Sequence, residues 1–173
     1  EKRLPTLTKT YFENEKLNIL GRDFEILFLP GQTLGLCAFY CKELNLLFSN
    51  DLIFSLGCGR VFEGSFEQMF ESLEKVRNLP KETILLSSHE YTLANLEFGL
   101  KLFPNDSKLQ MVAPIIRAKV QNKIPTVPMS LDFEIEHNPF LRWDDPEIRK
   151  AMELEDAENW QVFAEIRRLK DLG

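Results

Sequence analysis

The sequence predicts an α+β protein, strand-rich over its first half and helical over its second. Three observations carry this. Short apolar runs bounded by turn residues fill Lys16 to Phe48, a capped and periodic stretch runs from Phe66 to Arg77, and further helical patterns follow Glu90. The texture changes near Glu90, which divides the chain into a unit over 1–90 and a helical unit over 91–173.

Lys16 to Leu20 and Phe24 to Leu29 are apolar runs around Gly21-Arg22-Asp23, the pattern of a hairpin. Pro30-Gly31 stops the second run. Leu36 to Tyr40 and Leu46 to Phe48 read as two more strands joined across Cys41 to Asn45, and Asn50-Asp51 closes the last. After the glycine-rich loop Gly57-Cys58-Gly59-Arg60, Ser65 is a good N-cap for a helix, with Gln68 where a capping box wants it. Phe66, Met69, Phe70, Leu73 and Val76 then share one helical face. Thr83 to Leu86 makes a short buried strand that delivers Ser87-Ser88-His89. Helices are predicted over Thr92 to Phe103, Ser107 to Gln121, Pro146 to Leu154 and Glu158 to Leu172, with Asp106 and Asp145 as caps. The proline-bearing stretch from Ile124 to Phe140 reads as an extended wrap over the surface.

Composition bounds the function. With 44% hydrophobic and 28% charged residues, the chain of 173 residues is an ordinary globular protein, large enough for a core without disulfides. A net charge of −6 argues against nucleic acid or an anionic membrane as partner. No apolar run approaches the ~20 residues that span a bilayer. The opening Glu1-Lys2-Arg3 does not read as a signal peptide, so an intracellular protein, cytoplasmic or mitochondrial and not secreted, is expected. The odd count of cysteines, Cys37, Cys41 and Cys58, fits buried thiols in a reducing compartment better than a disulfide or zinc ribbon.

Asp51 and His89 each directly follow a predicted buried strand. Polar residues at such strand ends often meet, and Asp with His is a usual pair for a metal such as zinc. Taken by themselves they fit a simple turn and a local hydrogen bond better. Arg60, among Gly57, Gly59 and Gly64, could take a carboxylate or belong to a surface turn. Arg167, Arg168 and Lys170 end the last helix, where cations suit the helix dipole. His137 reads as structural.

Several of these pieces occur together in one family. Asn50-Asp51-Leu52-Ile53-Phe54-Ser55-Leu56-Gly57-Cys58-Gly59-Arg60-Val61-Phe62-Glu63-Gly64 resembles the "GDTLF…GCGR-x-x-EG" segment of glyoxalase II. Ser88-His89-Glu90-Tyr91-Thr92 resembles its "GHEYT", Pro125-Thr126-Val127-Pro128 its "PTVPS", and Asn138-Pro139-Phe140-Leu141-Arg142 its "NPFLR". Order and spacing agree from about Leu4 onward. The resemblance implies the latter part of a metallo-β-lactamase-like αβ/βα sandwich, followed by the helical domain particular to glyoxalase II. It implies hydrolysis of the thioester of S-(2-hydroxyacyl)glutathione to a 2-hydroxy acid and glutathione, with two metal ions (zinc, iron or manganese) as cofactors. By this resemblance Asp51 and His89 are metal ligands, whereas Arg60, Phe62, Tyr91, Arg167 and Lys170 are glutathione-contacting positions. Phe62 stands where a tyrosine often makes such a contact, so no hydroxyl is available there.

The family's main metal motif, "THxHxDH", has no counterpart, and two histidines could not build it. The chain is expected to begin downstream of that motif. Pro30-Gly31-Gln32-Thr33-Leu34-Gly35-Leu36 resembles "PGHTxGH", with Gln32 in place of a ligating histidine and Leu36 in place of the second. An amide oxygen is a poor zinc ligand beside a neutral imidazole. Asn50 and Ser88 each replace a glycine beside the expected site. Even a mononuclear catalytic zinc normally takes three protein ligands. The expectation is therefore a metal-deficient family member, inactive on its own and serving as a binding or scaffold subunit. The alternative is an active enzyme whose metal-binding half comes from a missing segment or another chain. Both call for a protein partner or that half, and both leave a glutathione thioester as ligand.

Overall fold

In the computed structural model, which describes residues 9–173, a mixed sheet carries one helix-covered core. Glu1-Lys2-Arg3 and Leu4 lie outside the described residues. Strands β1 (Lys16–Ile19), β2 (Arg22–Phe28), β3 (Cys37–Cys41) and β4 (Leu46–Asn50) form an antiparallel meander. The first hairpin turns tighter than the sequence predicts. Leu20 and Gly21, both with positive φ, make a two-residue loop, and Arg22 and Asp23 belong to the strand.

A short hairpin, β5 (Ile53–Phe54) and β6 (Gly57–Cys58), follows, and then helix α1 (Phe66–Arg77). The Ser65 hydroxyl accepts from Gln68 N and the Gln68 side chain from Ser65 N, the expected capping box. Met69, Leu73 and Val76 of α1 share the main core with Ala38, Tyr40, Leu47 and Leu85. Strand β7 (Ile84–Ser87) runs parallel to β4, and β8 (Met129–Ser130) pairs outside it, giving the order β1-β2-β3-β4-β7-β8. A parallel pair needs a crossover, and α1 supplies it.

The helical half comprises α2 (Thr92–Leu102), α3 (Ser107–Gln121), α4 (Leu131–His137), α5 (Pro146–Ala151) and α6 (Asn159–Leu172). The extended wrap predicted over Ile124 to Phe140 is corrected here. Its second half is helix α4 followed by a 3-10 turn at Pro139–Leu141. Ser130 caps α4 by accepting from Phe133 N, and Leu131 and Glu134 point inward as buried residues. Helix α5 ends at Ala151 rather than Leu154, because Glu153 takes a positive φ. Cys41 and Cys58 are buried free thiols, as expected, and Cys37 is half-buried.

The motif Asn138 to Arg142 has a structural reason. The Asn138 amide donates to the carbonyls of Phe54 and Gly57, so it clamps the β5–β6 hairpin. Arg142, 2% exposed, donates to Asp106 Oδ2 at 2.6 Å and to Asp145 Oδ2 at 2.7 Å. It thereby ties the caps of α3 and α5 together.

Candidate active-site remnant and adjoining cavity

Parallel pairing of β4 with β7 sets Asn50 opposite Ser87, so the residues leaving both strands arrive side by side. Asp51, Ser88 and His89 meet there; the resemblance implies Asp51 with His89 and sets Ser88 beside them. Gln32 joins them from the loop between β2 and β3. Its Nε2 donates to Asp51 Oδ2 at 3.0 Å, and the Ser88 hydroxyl donates to Asp51 Oδ1. His89 Nε2 stands 3.7 Å from the same Oδ1. The Gln32 carbonyl accepts from Phe62 N at 3.0 Å and Glu63 N at 3.2 Å, fastening the glycine-rich loop. At Gly59 a Cβ would come within 1.9 Å of the Asp51 carbonyl oxygen, so this loop passes the cluster only without a side chain.

The donors do not fit the metal centre that the resemblance implies. Among the described residues, no group of three or more His, Cys, Asp or Glu side chains could hold a metal ion. Asp51 and His89 are two ligands of suitable type, fewer than a mononuclear site takes. Both Asp51 oxygens already accept from a neighbouring side chain. The Asn50 side chain points elsewhere, its amide donating to the Cys37 carbonyl at 2.6 Å.

A chain of rings leads away from this cluster. His89 stacks on Tyr91 at 4.9 Å between centroids, and Phe54 meets Tyr91 edge-on at 5.2 Å. Phe54 and Tyr91 then open onto a cavity of about 830 Å³, which α2 and α6 flank with Phe98, Leu102, Leu169 and Leu172. Its cations are Arg60, Lys101, Arg167 and Lys170.

The predicted contact residues divide. Arg60, Tyr91, Arg167 and Lys170 all line the cavity, but Phe62 is 66% exposed outside it. Phe62 instead lies 5.9 Å from the Arg60 guanidinium. Arg167 is buried in the floor, where it donates to the Cys58 carbonyl at 3.0 Å and Asp171 at 2.8 Å. Among the described residues its Nε finds no hydrogen-bond partner. Lys170 is the more available cation. It donates to Asn95 Oδ1 and sits 5.0 Å from the Phe98 ring centroid. Burial, then the charge of Arg167, brings its ammonium down to about 8. Burial likewise pushes the Cys58 thiol up, against the lowering effect of Arg167. Arg168 is exposed and paired with Glu165.

Asn95 is a cavity-lining position that motif reading passes over. Its amide donates to the Ser55 carbonyl at 2.9 Å while its oxygen accepts from Lys170, so one side chain joins the hairpin to α6. The sequence hint was Gly57, where a Cβ would come within 2.4 Å of that amide. Two motifs also explain each other: Glu90 accepts from the Thr126 backbone and hydroxyl, which joins His89-Glu90-Tyr91 to Pro125-Thr126.

Comparison with known proteins agrees with this arrangement. Residues 13–89 match the family model of the metallo-beta-lactamase superfamily, and residues 90–172 match that of the hydroxyacylglutathione hydrolase C-terminus. A hydroxyacylglutathione hydrolase of Bartonella tribocorum is 45% identical over 95% of this chain and 65% of its own length. One of Xanthomonas axonopodis pv. citri is 41% identical over 99% of this chain and 68% of its own. This chain covers as little as 56% of other such relatives, for example that of Bartonella henselae. In fold, the crystal structure of ETHE1 from Myxococcus xanthus matches with a TM-score of 0.61 at 17% identity, over 98% of this chain and 55% of that one. A metallo-beta-lactamase from Staphylococcus aureus matches with a TM-score of 0.55 at 19% identity, over 95% of this chain and 44% of that one. With matched models across both halves and relatives at this identity, the chain belongs to the hydroxyacylglutathione hydrolase (glyoxalase II) family of the metallo-β-lactamase superfamily.

Proposed function

We propose that this chain binds a glutathione thioester of the kind its relatives are named for, and does not hydrolyse it unaided. The observation that carries this reading is the pairing of a cation-lined cavity with a strand-end cluster too poor in ligands for the family's metals. Zinc, iron or manganese would supply the water activation in this family, and the donors present hold none of them well. What remains is a binding site, and the protein acts as a binding or scaffold subunit.

Roles in that site follow from chemistry. Glutathione carries carboxylates, and Lys170 and Arg60 present charge at the cavity for them. Arg167 lies in the cavity wall with its guanidinium committed to Cys58 and Asp171, so Lys170 and Arg60 are left to meet the ligand. Tyr91 and Phe54 offer an apolar wall towards Asp51 and His89, where the thioester end would lie. Phe62 serves as a cover on Arg60 rather than as a hydrogen-bond donor. The two units meet at residue 90, so the ligand would bridge the sheet's edge and the helical half.

A second reading has its own support. This chain spans 65% of the Bartonella tribocorum relative, so residues from another segment or chain could complete a metal site over Asp51 and His89. Calorimetric titration with S-D-lactoylglutathione, alongside an assay of thioester loss, separates the readings. Binding without turnover is expected, with affinity falling roughly tenfold in Lys170→Ala for one charge-assisted contact. Turnover that appears only once the missing segment or another chain is added would establish the second reading, turnover by the chain unaided would overturn both, and no binding would leave a scaffold.

A further inference from the structure

We propose that Gln32 and Ser88 have taken over the place of the metal, cross-linking the cluster through Asp51 so that it stands without an ion. This deepens the reading above and rests on it for the assignment of Asp51 as a former ligand. Three loops converge on one carboxylate. Gln32 arrives from the β2–β3 loop, Asp51 leaves β4, and Ser88 and His89 leave β7. A bound cation would do two things here: neutralise the carboxylate and hold the loops together. The amide of Gln32 and the hydroxyl of Ser88 hold the loops by donating to opposite oxygens of Asp51, and they solvate its charge where a cation would neutralise it.

The same arrangement opposes metal entry. Donors directed at a carboxylate put positive hydrogens where a cation would have to sit. For an ion to bind, the Gln32 amide must turn its oxygen inward and the Ser88 hydroxyl must rotate away. Each movement gives up a hydrogen bond to a charged group, the stronger class of such bonds. The return is one neutral amide oxygen, a weak ligand for a borderline metal, beside Asp51 and His89.

The cross-link reaches the cavity as well. The Gln32 carbonyl holds Phe62 N and Glu63 N, and Arg60 precedes them on the same loop and lines the cavity. Gln32 thus joins Asp51 to the segment that presents Arg60, which makes it a positioning residue for the binding site.

The test is zinc titration of the whole chain, read by calorimetry and by the thermal midpoint, with and without chelator. The expected result for the native sequence is no stoichiometric zinc uptake and a midpoint that neither zinc nor chelator moves. Gln32→Ala and Ser88→Ala each lower the midpoint, because each removes a donor from Asp51. The pair Gln32→His with Ser88→Gly brings the ligand count to three and removes the hydroxyl. Zinc affinity should then rise by roughly ten- to a hundredfold and the midpoint should become zinc-dependent. Ser88→Ala titrated with zinc gives the same direction of change more weakly, should the pair not fold. Stoichiometric zinc uptake by the native chain, or alanine variants with an unshifted midpoint, would overturn the cross-link. A native chain that takes up neither zinc nor the thioester would sink the binding reading and leave the cross-link standing.

Discussion

At the scale of single residues, Glu134 shows how a buried charge is made tolerable. It accepts from Ser55 Oγ at 2.8 Å, Leu56 N at 2.9 Å and Asn138 Nδ2 at 3.0 Å, and has no cation beside it in that set. Burial outweighs these donors and raises its carboxyl from 4.5 to about 7. The folded state therefore holds a proton that the unfolded chain releases, and stability falls as pH rises from 4.5 through about 7. Urea unfolding across this window should show that slope, and Glu134→Gln should flatten it. Glu134→Ala, which strands the Leu56 amide and removes the acceptor of the Ser55 hydroxyl, should cost on the order of 3 kcal/mol. Lys170 gives a second prediction, for binding rather than stability. Its ammonium loses charge as pH rises through about 8, so affinity for an anionic ligand should fall across that value and Lys170→Ala should remove the dependence. Such effects were not legible in the sequence. Asp51 and His89 were legible through the family resemblance, since by themselves they fit a turn and a local hydrogen bond better. Glu134 and Asn95 sit on helices whose facing surface depends on where the β5–β6 hairpin lands.

At the scale of elements, three helices begin at start signals legible in the sequence, whereas α2 begins at Thr92 with no side-chain cap. Ser65 with Gln68, Asp106 before Ser107, and Asp145 before Pro146 each cap the helix they predict. Helix α4 escaped because proline-rich flanks on both sides suggested an extended chain, and its inward residue Glu134 breaks the apolar pattern. The capped helices are further coupled through Arg142. Its guanidinium pairs with Asp106 and Asp145, while Lys108 adds a contact to Asp145 at 3.1 Å. Burial favours the neutral Asp145, yet bonds from Arg142, Lys108 and Glu147 N win and hold it at about 2. Its contribution is complete above 3.8 and is lost as pH falls towards about 2. Arg142→Ala, which leaves Asp106 buried without its partner, should cost about 3–5 kcal/mol by chemical denaturation. A loss below about 1 kcal/mol would mean that the helix caps hold without it.

At the scale of the whole molecule, the sheet has two apolar faces, and one of them lies outside the main core cluster and is partly exposed. Register places Glu25 with Tyr40 and Tyr40 with Leu47 on the face that packs against α1. The alternate residues Phe24, Ile26 and Phe28 of β2, Phe39 of β3, Phe48 of β4 and Leu86 of β7 point the other way. They belong to neither core cluster of the described residues; Phe24 and Ile26 are nonetheless buried, at 7% and 3%, whereas Phe28 and Phe48 are 42% and 41% exposed. A sheet that meets water on one side normally alternates polar residues there, and this one does not. The skew of fourteen phenylalanines in the sequence is explained in part by this second face. Such a surface calls for a covering layer, which could be supplied by the further length that relatives carry or by another chain. Sedimentation should accordingly show the chain associating with rising concentration. Replacing both Phe28 and Phe48 with lysine places two charges in the centre of the face, which a packed apolar layer cannot absorb. The doubly substituted chain should sediment as a monomer while its thioester affinity stays unchanged, because the cavity at α2 and α6 is built from other residues. Monomeric behaviour of the native chain at every concentration would refute the covering layer and leave the face exposed to solvent. Association that survives both substitutions would move the interface elsewhere, with the exposed Met111 and Ile115 of α3 next in line.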